Sequence, residues 1–212
     1  MVFRDRAEAA RRLAERLEPF RGEDLVILAI PRGGVVIGDG IARAIGGQLD
    51  VVVPRKLGAP YDPELAIGAV MHDGSVFLNE DVIEALGVPE EYIEKEKAAQ
   101  MKEIERRLIL YRGHREYRLE GRTVLLVDDG VATGATLLVA ARWVRTQAPK
   151  KLVIAVPVGP PETIEKLQAV ADEVVALLIP AQFGAVGEFY RDFSPVTDEE
   201  VRRIMRQYGY GV

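Results

Sequence analysis

Short, nearly unbroken apolar runs alternate along this chain with segments whose apolar residues recur at helical spacing. The runs fall at residues 24–30 (DLVILAI), 49–54 (LDVVVP), 123–129 (TVLLVDD), 151–158 (KLVIAVPV) and 172–180 (DEVVALLIP). Runs of that length without polar alternation predict strands covered on both faces. Between them, residues 35–46, 137–146 and 162–170 repeat apolar side chains three and four apart, which predicts helices. An amphipathic helix is expected first, over residues 3–17, with Phe3, Ala7, Ala10, Leu13, Ala14 and Leu17 on one face. Repeated strand-helix-strand units of this kind specify an α/β fold with a five-stranded, mainly parallel sheet flanked by helices.

Between the second and third strands the pattern changes. Residues 64–79 read as two short strands about the turn His72-Asp73-Gly74, and residues 89–111 as one long charged helix. This interruption, about residues 57–120, is expected to be a flap or lid, with Tyr111, Arg112 and Arg115 as candidates for its closing element. His72 and His114 read as turn and surface residues. The tail from Pro180 should end in a helix over residues 197–207, with Thr197 as N-cap and Glu200 completing a capping box.

The 212 residues fit one domain, since single cores commonly serve roughly 100 to 250 residues. With 28 basic and 33 acidic side chains the net charge is -5, which gives no general attraction for nucleic acid. Cysteine is absent, which excludes disulfides, zinc-thiolate sites and thiol nucleophiles, and two histidines make a multi-histidine metal cage improbable. No segment reads as a secretory signal or a membrane span, so a cytoplasmic protein is expected.

The chemistry concentrates in residues 124–136, VLLVDDGVATGAT, where an apolar strand runs into two carboxylates, two glycines and two threonines before a helix. Gly130 and Gly134 allow close backbone approach, Thr133 and Thr136 offer hydroxyls, and the free N–H groups of the next helix form an anion site. Asp128 and Asp129 stand at the carboxyl end of a central strand, where open α/β sheets bind ligands. An anion site beside carboxylates suits a ligand carrying both a phosphate and vicinal hydroxyls, such as a ribose 5-phosphate. No Gly-Lys-Ser/Thr follows, so this is not a P-loop, and the acids precede the glycines, so it is not a dinucleotide fingerprint. From the residues alone, a metal-binding or turn-capping role for the acidic pair stays open.

DDGVATGAT resembles the phosphoribosyl diphosphate (PRPP) binding motif of type I phosphoribosyltransferases, most closely that of the adenine and uracil enzymes, which also carry alanine where Ala132 stands. The resemblance implies that fold over most of the chain. It also implies that Asp128 and Asp129 hold the ribose hydroxyls and lie near a magnesium ion, while Gly130, Val131, Ala132, Thr133, Gly134, Ala135 and Thr136 enclose the 5-phosphate. No general base can be assigned at Ala132. In IPRGG, Pro31 to Gly34 take the place of the family's pyrophosphate loop: Arg32, Gly33 and Gly34 would meet the diphosphate, and a strained or cis peptide is implied near Arg32 and Gly33. After the second strand, Arg55 and Lys56 take the place of a basic pair, of which Lys56 is the expected diphosphate contact.

Residues 179–193, IPAQFGAVGEFYRDF, resemble the base-binding hood of the 6-oxopurine enzymes, which suggests Phe183, Val186 and Asp192 for the base. The register is offset by one residue before Asp192, and Gln182 replaces a lysine. The activity implied is magnesium-dependent transfer of ribose 5-phosphate from PRPP to a nitrogenous base, with purine favoured, by a homodimer that binds neither nucleic acid nor membrane. A regulatory PRPP sensor and a sugar-phosphate hydrolase or isomerase are the alternatives.

Overall fold

The computed structural model describes residues 2–212. Five strands, β1 (Leu25–Ala29), β2 (Gln48–Val51), β6 (Thr123–Val127), β7 (Lys151–Val158) and β8 (Glu173–Leu178), form one wholly parallel sheet in the order β2-β1-β6-β7-β8. Every residue of β1 and β6 is buried, as their uninterrupted apolar character predicts. The register sets Ala29 against Val51 and Val127, and Val127 against Ala155. The carboxyl ends of β1, β2 and β6 therefore lie level while β7 runs on to Val158, and β1 and β6 flank the crevice where the chain departs to opposite sides of the sheet.

Helices α1 (Arg6–Arg16), α2 (Gly33–Ile45) and α7 (Asp198–Gln207) share one apolar core with the sheet, and α5 (Ala135–Thr146) and α6 (Pro161–Gln168) a second. A Cβ on Gly40 would lie 2.5 Å from that of Ala10, so glycine is what lets α1 and α2 cross closely. Helix α1 begins at Arg6 rather than at Phe3, because Asp5 caps it by accepting from the Glu8 amide at 2.9 Å. Phe3 instead forms a parallel bridge with Tyr190, its amide donating to the Phe189 carbonyl at 2.8 Å. The start of the chain is thereby tied to the segment after β8. Thr197 caps α7, accepting from the Glu200 amide at 3.1 Å.

The interruption builds a second, antiparallel sheet of β3 (Arg55–Ala59), β4 (Asp62–Val70) and β5 (Val76–Leu78), followed by α3 (Glu80–Leu86) and the 23-residue α4 (Glu90–Arg112). Strand β3 and helix α3 were not among the expected elements. Tyr111 and Arg112, expected in a closing element, are instead buried anchors. Arg112 pairs with Asp50 of β2 through two hydrogen bonds of 2.6 and 2.9 Å and lies 3.7 Å above the Tyr117 ring. Burying two charges together is sustainable only with such bidentate satisfaction, and it fixes the end of α4 to the main sheet. Arg115 is exposed and pairs with Glu105. His72 lies in the expected turn, and its ring packs edge-on to Trp143 at 4.8 Å, where burial lowers its pKa. No helix among the described residues is long and apolar enough to cross a membrane.

Candidate active site

Two loops meet above β1 and β6. The first leaves β1 through a cis Pro31–Arg32 peptide, at the place where the sequence implied an unusual bond, and enters α2 at Gly33. The second leaves β6 through Asp128 and Asp129 and enters α5 after Gly134, which adopts φ +87°. They are in direct contact. A Cβ on Gly33 would fall 2.0 Å from Asp129 Oδ2, and one on Gly34 would fall 3.2 Å from Asp128 Cα. A side chain at Gly33 would have to push the Asp129 carboxylate aside, and one at Gly34 would press on the backbone of the β6–α5 loop.

Asp129 is held from three sides. Its carboxylate accepts from Arg6 Nε at 2.9 Å, and its carbonyl accepts from the Tyr190 hydroxyl at 2.7 Å. Arg6 also donates to the Ser194 carbonyl at 2.7 Å and lies 4.1 Å above the Phe193 ring. The Arg6 and Asp129 side chains are only 11% and 15% exposed, so solvent screens their attraction weakly. Asp128 turns its carboxylate back on the loop, accepting from the Asp129 amide at 2.8 Å. Burial raises the Asp128 pKa well above the usual carboxylate range, and the neighbouring Asp129 charge adds to this. The two adjacent acids thus have different surroundings, Asp129 paired with a guanidinium and Asp128 turned onto the loop backbone.

The rest of the β6–α5 loop is pinned from beneath. The Val131 amide donates to Val158 at 2.9 Å, and the Thr163 hydroxyl donates to the Ala132 carbonyl at 2.6 Å. Val131 is buried, so only its backbone can face a ligand, whereas Ala132 and Thr133 are exposed. The first amides of α5, from Ala135 and Thr136, have no intrahelical acceptor and are suited to an anion. Beside Ala132, Thr133 and Ala135 opens a cavity of about 600 Å³, bounded across from them by Leu65 and Ala66 of β4 and Phe77 of β5.

Of the suggested base-binding residues, Val186 is drawn in: its Cγ1 would sit 2.5 Å from a Cβ on Gly130, where φ is +157°. Phe183 stacks on Phe189, with ring centroids 5.5 Å apart. Asp192 points to its own turn, accepting from the Ser194 amide at 3.0 Å and hydroxyl at 2.5 Å, and these bonds lower its pKa. It reaches the site only through Ser194, whose carbonyl receives Arg6.

Arg32 donates from Nε to Asp198 at 3.1 Å, and the buried Tyr111 hydroxyl donates to the same carboxylate oxygen. The basic pair after β2 divides, because consecutive residues of a strand face opposite ways. Lys56 turns outward to Glu64, 3.3 Å away. Arg55 turns inward, donating to Gln100 at 2.9 Å, and its pKa is lowered by burial and then by the charges of Arg107, Arg32 and Arg106. Sequence reasoning named Arg55 only as half of a basic pair and did not single out Arg6 or the α4 arginines. The strand start at Arg55 could have marked the first, but nothing local distinguished the others from ordinary charged helix faces.

Asp128 and Asp129 offer hard oxygen donors suited to magnesium shared with ligand oxygens. Among the described residues no three metal-ligating side chains cluster.

Comparison with known proteins agrees with this geometry. Residues 64–193 match the family model for a phosphoribosyl transferase domain. The crystal structure of TT1426 from Thermus thermophilus is 46% identical and superposes with a TM-score of 0.81, covering 98% of this chain and 99% of that one. "Putative phosphoribosyl transferase Rv0571c" of Mycobacterium tuberculosis is 42% identical over 94% of this chain, which spans only 45% of that protein's length. An adenine phosphoribosyltransferase of Rhodococcus jostii is 29% identical, over 73% of this chain and 68% of its own. The all-parallel sheet, the helices on both its faces and the matched residues together make this chain a member of the phosphoribosyl transferase family, with the type I fold.

Proposed function

We propose that the chain transfers ribose 5-phosphate from PRPP to a nitrogenous base, releasing pyrophosphate. The observation that carries this reading is the contact between the two loops: Gly33, in the turn assigned to the diphosphate, abuts the carboxylate of Asp129, assigned to the ribose. A single ligand bearing a diphosphate next to ribose hydroxyls would span that junction. Asp129 would accept from the vicinal hydroxyls while Arg6 orients its carboxylate. The amides of Ala132 to Thr136 would enclose the 5-phosphate, and Arg32 and Arg55 would face the diphosphate. Magnesium would be held by ligand oxygens with Asp128 and Asp129 alongside, neutralising charge on the departing diphosphate.

Positive charge would develop at the anomeric carbon, so these residues act by orienting the ribose and screening charge. Ala132 offers no carboxylate to take a proton from the acceptor. A purine acceptor is favoured by the aromatic segment carrying Phe183 and Phe189, and by the adenine enzyme among the relatives. The β3–β5 sheet with α3 and α4 would serve as the flap, and the segment after Pro180 as the hood.

Purified protein given PRPP and magnesium with a panel of purines, pyrimidines and their precursors should release pyrophosphate and form a nucleotide with one of them. Pyrophosphate release independent of any base would point instead to a hydrolase. Within the site, Arg55→Ala is expected to weaken magnesium pyrophosphate binding about tenfold or more, the effect of one lost charge-assisted hydrogen bond. Lys56→Ala should change it by less than about twofold, as an exposed ion pair would. Titration calorimetry decides this, and equal losses in the two variants would sink the assignment of Arg55.

A further inference from the structure

Four guanidinium groups gather between the β1–α2 turn and α4. Arg32 stands on the turn, Arg55 opens β3, and Arg106 and Arg107 lie in the last turns of α4. Two carboxylates are set among them. Glu103 takes both α4 arginines, at 2.7 and 2.8 Å, which lowers its pKa to about 2. Asp198 takes Arg32 and the Tyr111 hydroxyl, and the fields of Arg106 and Arg107 also reach it. Within the cluster, two positive charges remain uncompensated.

Asp198 differs from Glu103 in where it comes from. Glu103 shares a helix with its partners, whereas Asp198 is the first residue of α7, 166 positions from Arg32. Its place in the first turn of α7, followed by Glu199 and Glu200, already satisfies the helix terminus with negative charge. The reach to Arg32 is therefore not needed for capping, a task that Thr197 performs. A diphosphate lying along the Arg32 turn would call on the same donors, the Arg32 Nε and the Tyr111 hydroxyl, and bring more negative charge than one carboxylate.

Resting on the transferase reading above, we propose that Asp198 is an internal competitor for the diphosphate. It occupies the donors of Arg32 and Tyr111 that a bound diphosphate would take, and so sets the affinity of that end of the substrate. Displacing it frees the first turn of α7, which packs on both α2 and α4, so filling of the diphosphate end is coupled to the C-terminal segment. The effect on affinity is specific to one end of the ligand, since ribose 5-phosphate carries no diphosphate and would leave Asp198 where it is.

The test is titration calorimetry on the full chain with magnesium pyrophosphate and, separately, ribose 5-phosphate. Asp198→Asn keeps the shape and removes the charge, and Asp198→Ser guards against a packing defect peculiar to the amide. Thermal unfolding of each variant establishes that it is folded. Both variants should bind pyrophosphate about tenfold more tightly than wild type, which corresponds to about 1.4 kcal/mol, with ribose 5-phosphate within about twofold. Unchanged or weaker pyrophosphate binding would overturn the proposal by showing that Asp198 orients Arg32 instead of competing for it. Equal tightening of both ligands would overturn it too, as a general charge effect. A wild-type chain that binds neither pyrophosphate nor PRPP would remove the transferase reading itself, an outcome separable from the other two.

Discussion

Asp129→Ala is expected to abolish measurable PRPP binding while leaving a folded protein. A carboxylate that accepts from ribose hydroxyls makes charge-assisted hydrogen bonds of about 1.5–3 kcal/mol each. Losing two of them would raise Kd by at least about a hundredfold. The same carboxylate also neutralises Arg6, whose side chain is 11% exposed and would keep only the Ser194 carbonyl and the Phe193 ring. Truncating one member of a buried pair costs about 3–5 kcal/mol, and this pair is only partly buried, so a smaller loss of stability is anticipated. The double variant Arg6→Ala with Asp129→Ala separates the two effects. Removing both charges should recover much of the stability lost in the single variant, and none of the PRPP binding. Thermal unfolding and calorimetry on all four proteins complete the cycle, and wild-type PRPP affinity in Asp129→Ala would take Asp129 out of the site.

The parts of this picture that were legible in the sequence share a physical origin. Strands buried on both faces cannot alternate polar with apolar residues, so β1, β6 and β7 stand out as continuous runs. Glycine lets backbone approach closely, so Gly130 and Gly134 marked the β6–α5 loop in the sequence and the resemblance marked Gly33 and Gly34, which the structure sets against Asp129 and Asp128. What stayed hidden depends on direction in space. Arg6 has the spacing of any solvated residue on an amphipathic helix, and only the crossing of α1 over the crevice brings it to Asp129. Arg55 and Lys56 are chemically alike and adjacent, and the strand that begins at Arg55 decides which of them faces inward. Tyr111 and Arg112 looked like the end of a polar helix because their partners, Asp198 and Asp50, are remote in sequence. Asp192 matched a functional position by type, yet its turn closes on Ser194 first.

Gly33→Ala adds a single methyl group and is expected to weaken PRPP binding at least about tenfold. The φ of Gly33 is not positive, so alanine at the first position of α2 carries no backbone penalty and, by helix propensity, is favoured by up to about 1 kcal/mol. The obstacle is what the new Cβ would meet: Asp129 Oδ2 at 2.0 Å and Arg6 Nε at 2.8 Å. No rotamer change at residue 33 relieves this, because a Cβ is fixed by the backbone. Either the Asp129 carboxylate swings away and gives up Arg6, or the β1–α2 turn shifts off the β6–α5 loop, and each outcome separates the groups that a PRPP molecule would bridge. Helix propensity and disrupted ion pairing oppose each other in the stability, so the unfolding midpoint should move by only a few degrees, since about 1 kcal/mol corresponds to about 2–4 °C in a chain of this size. PRPP binding should fall at least about tenfold, the loss that follows from even one misplaced charge-assisted hydrogen bond. Calorimetric titration with PRPP beside differential scanning calorimetry reads both quantities. A Gly33→Ala protein that binds PRPP as tightly as wild type would show that the two loops need not touch for the ligand to be held, and the bridging argument would fail at its central contact.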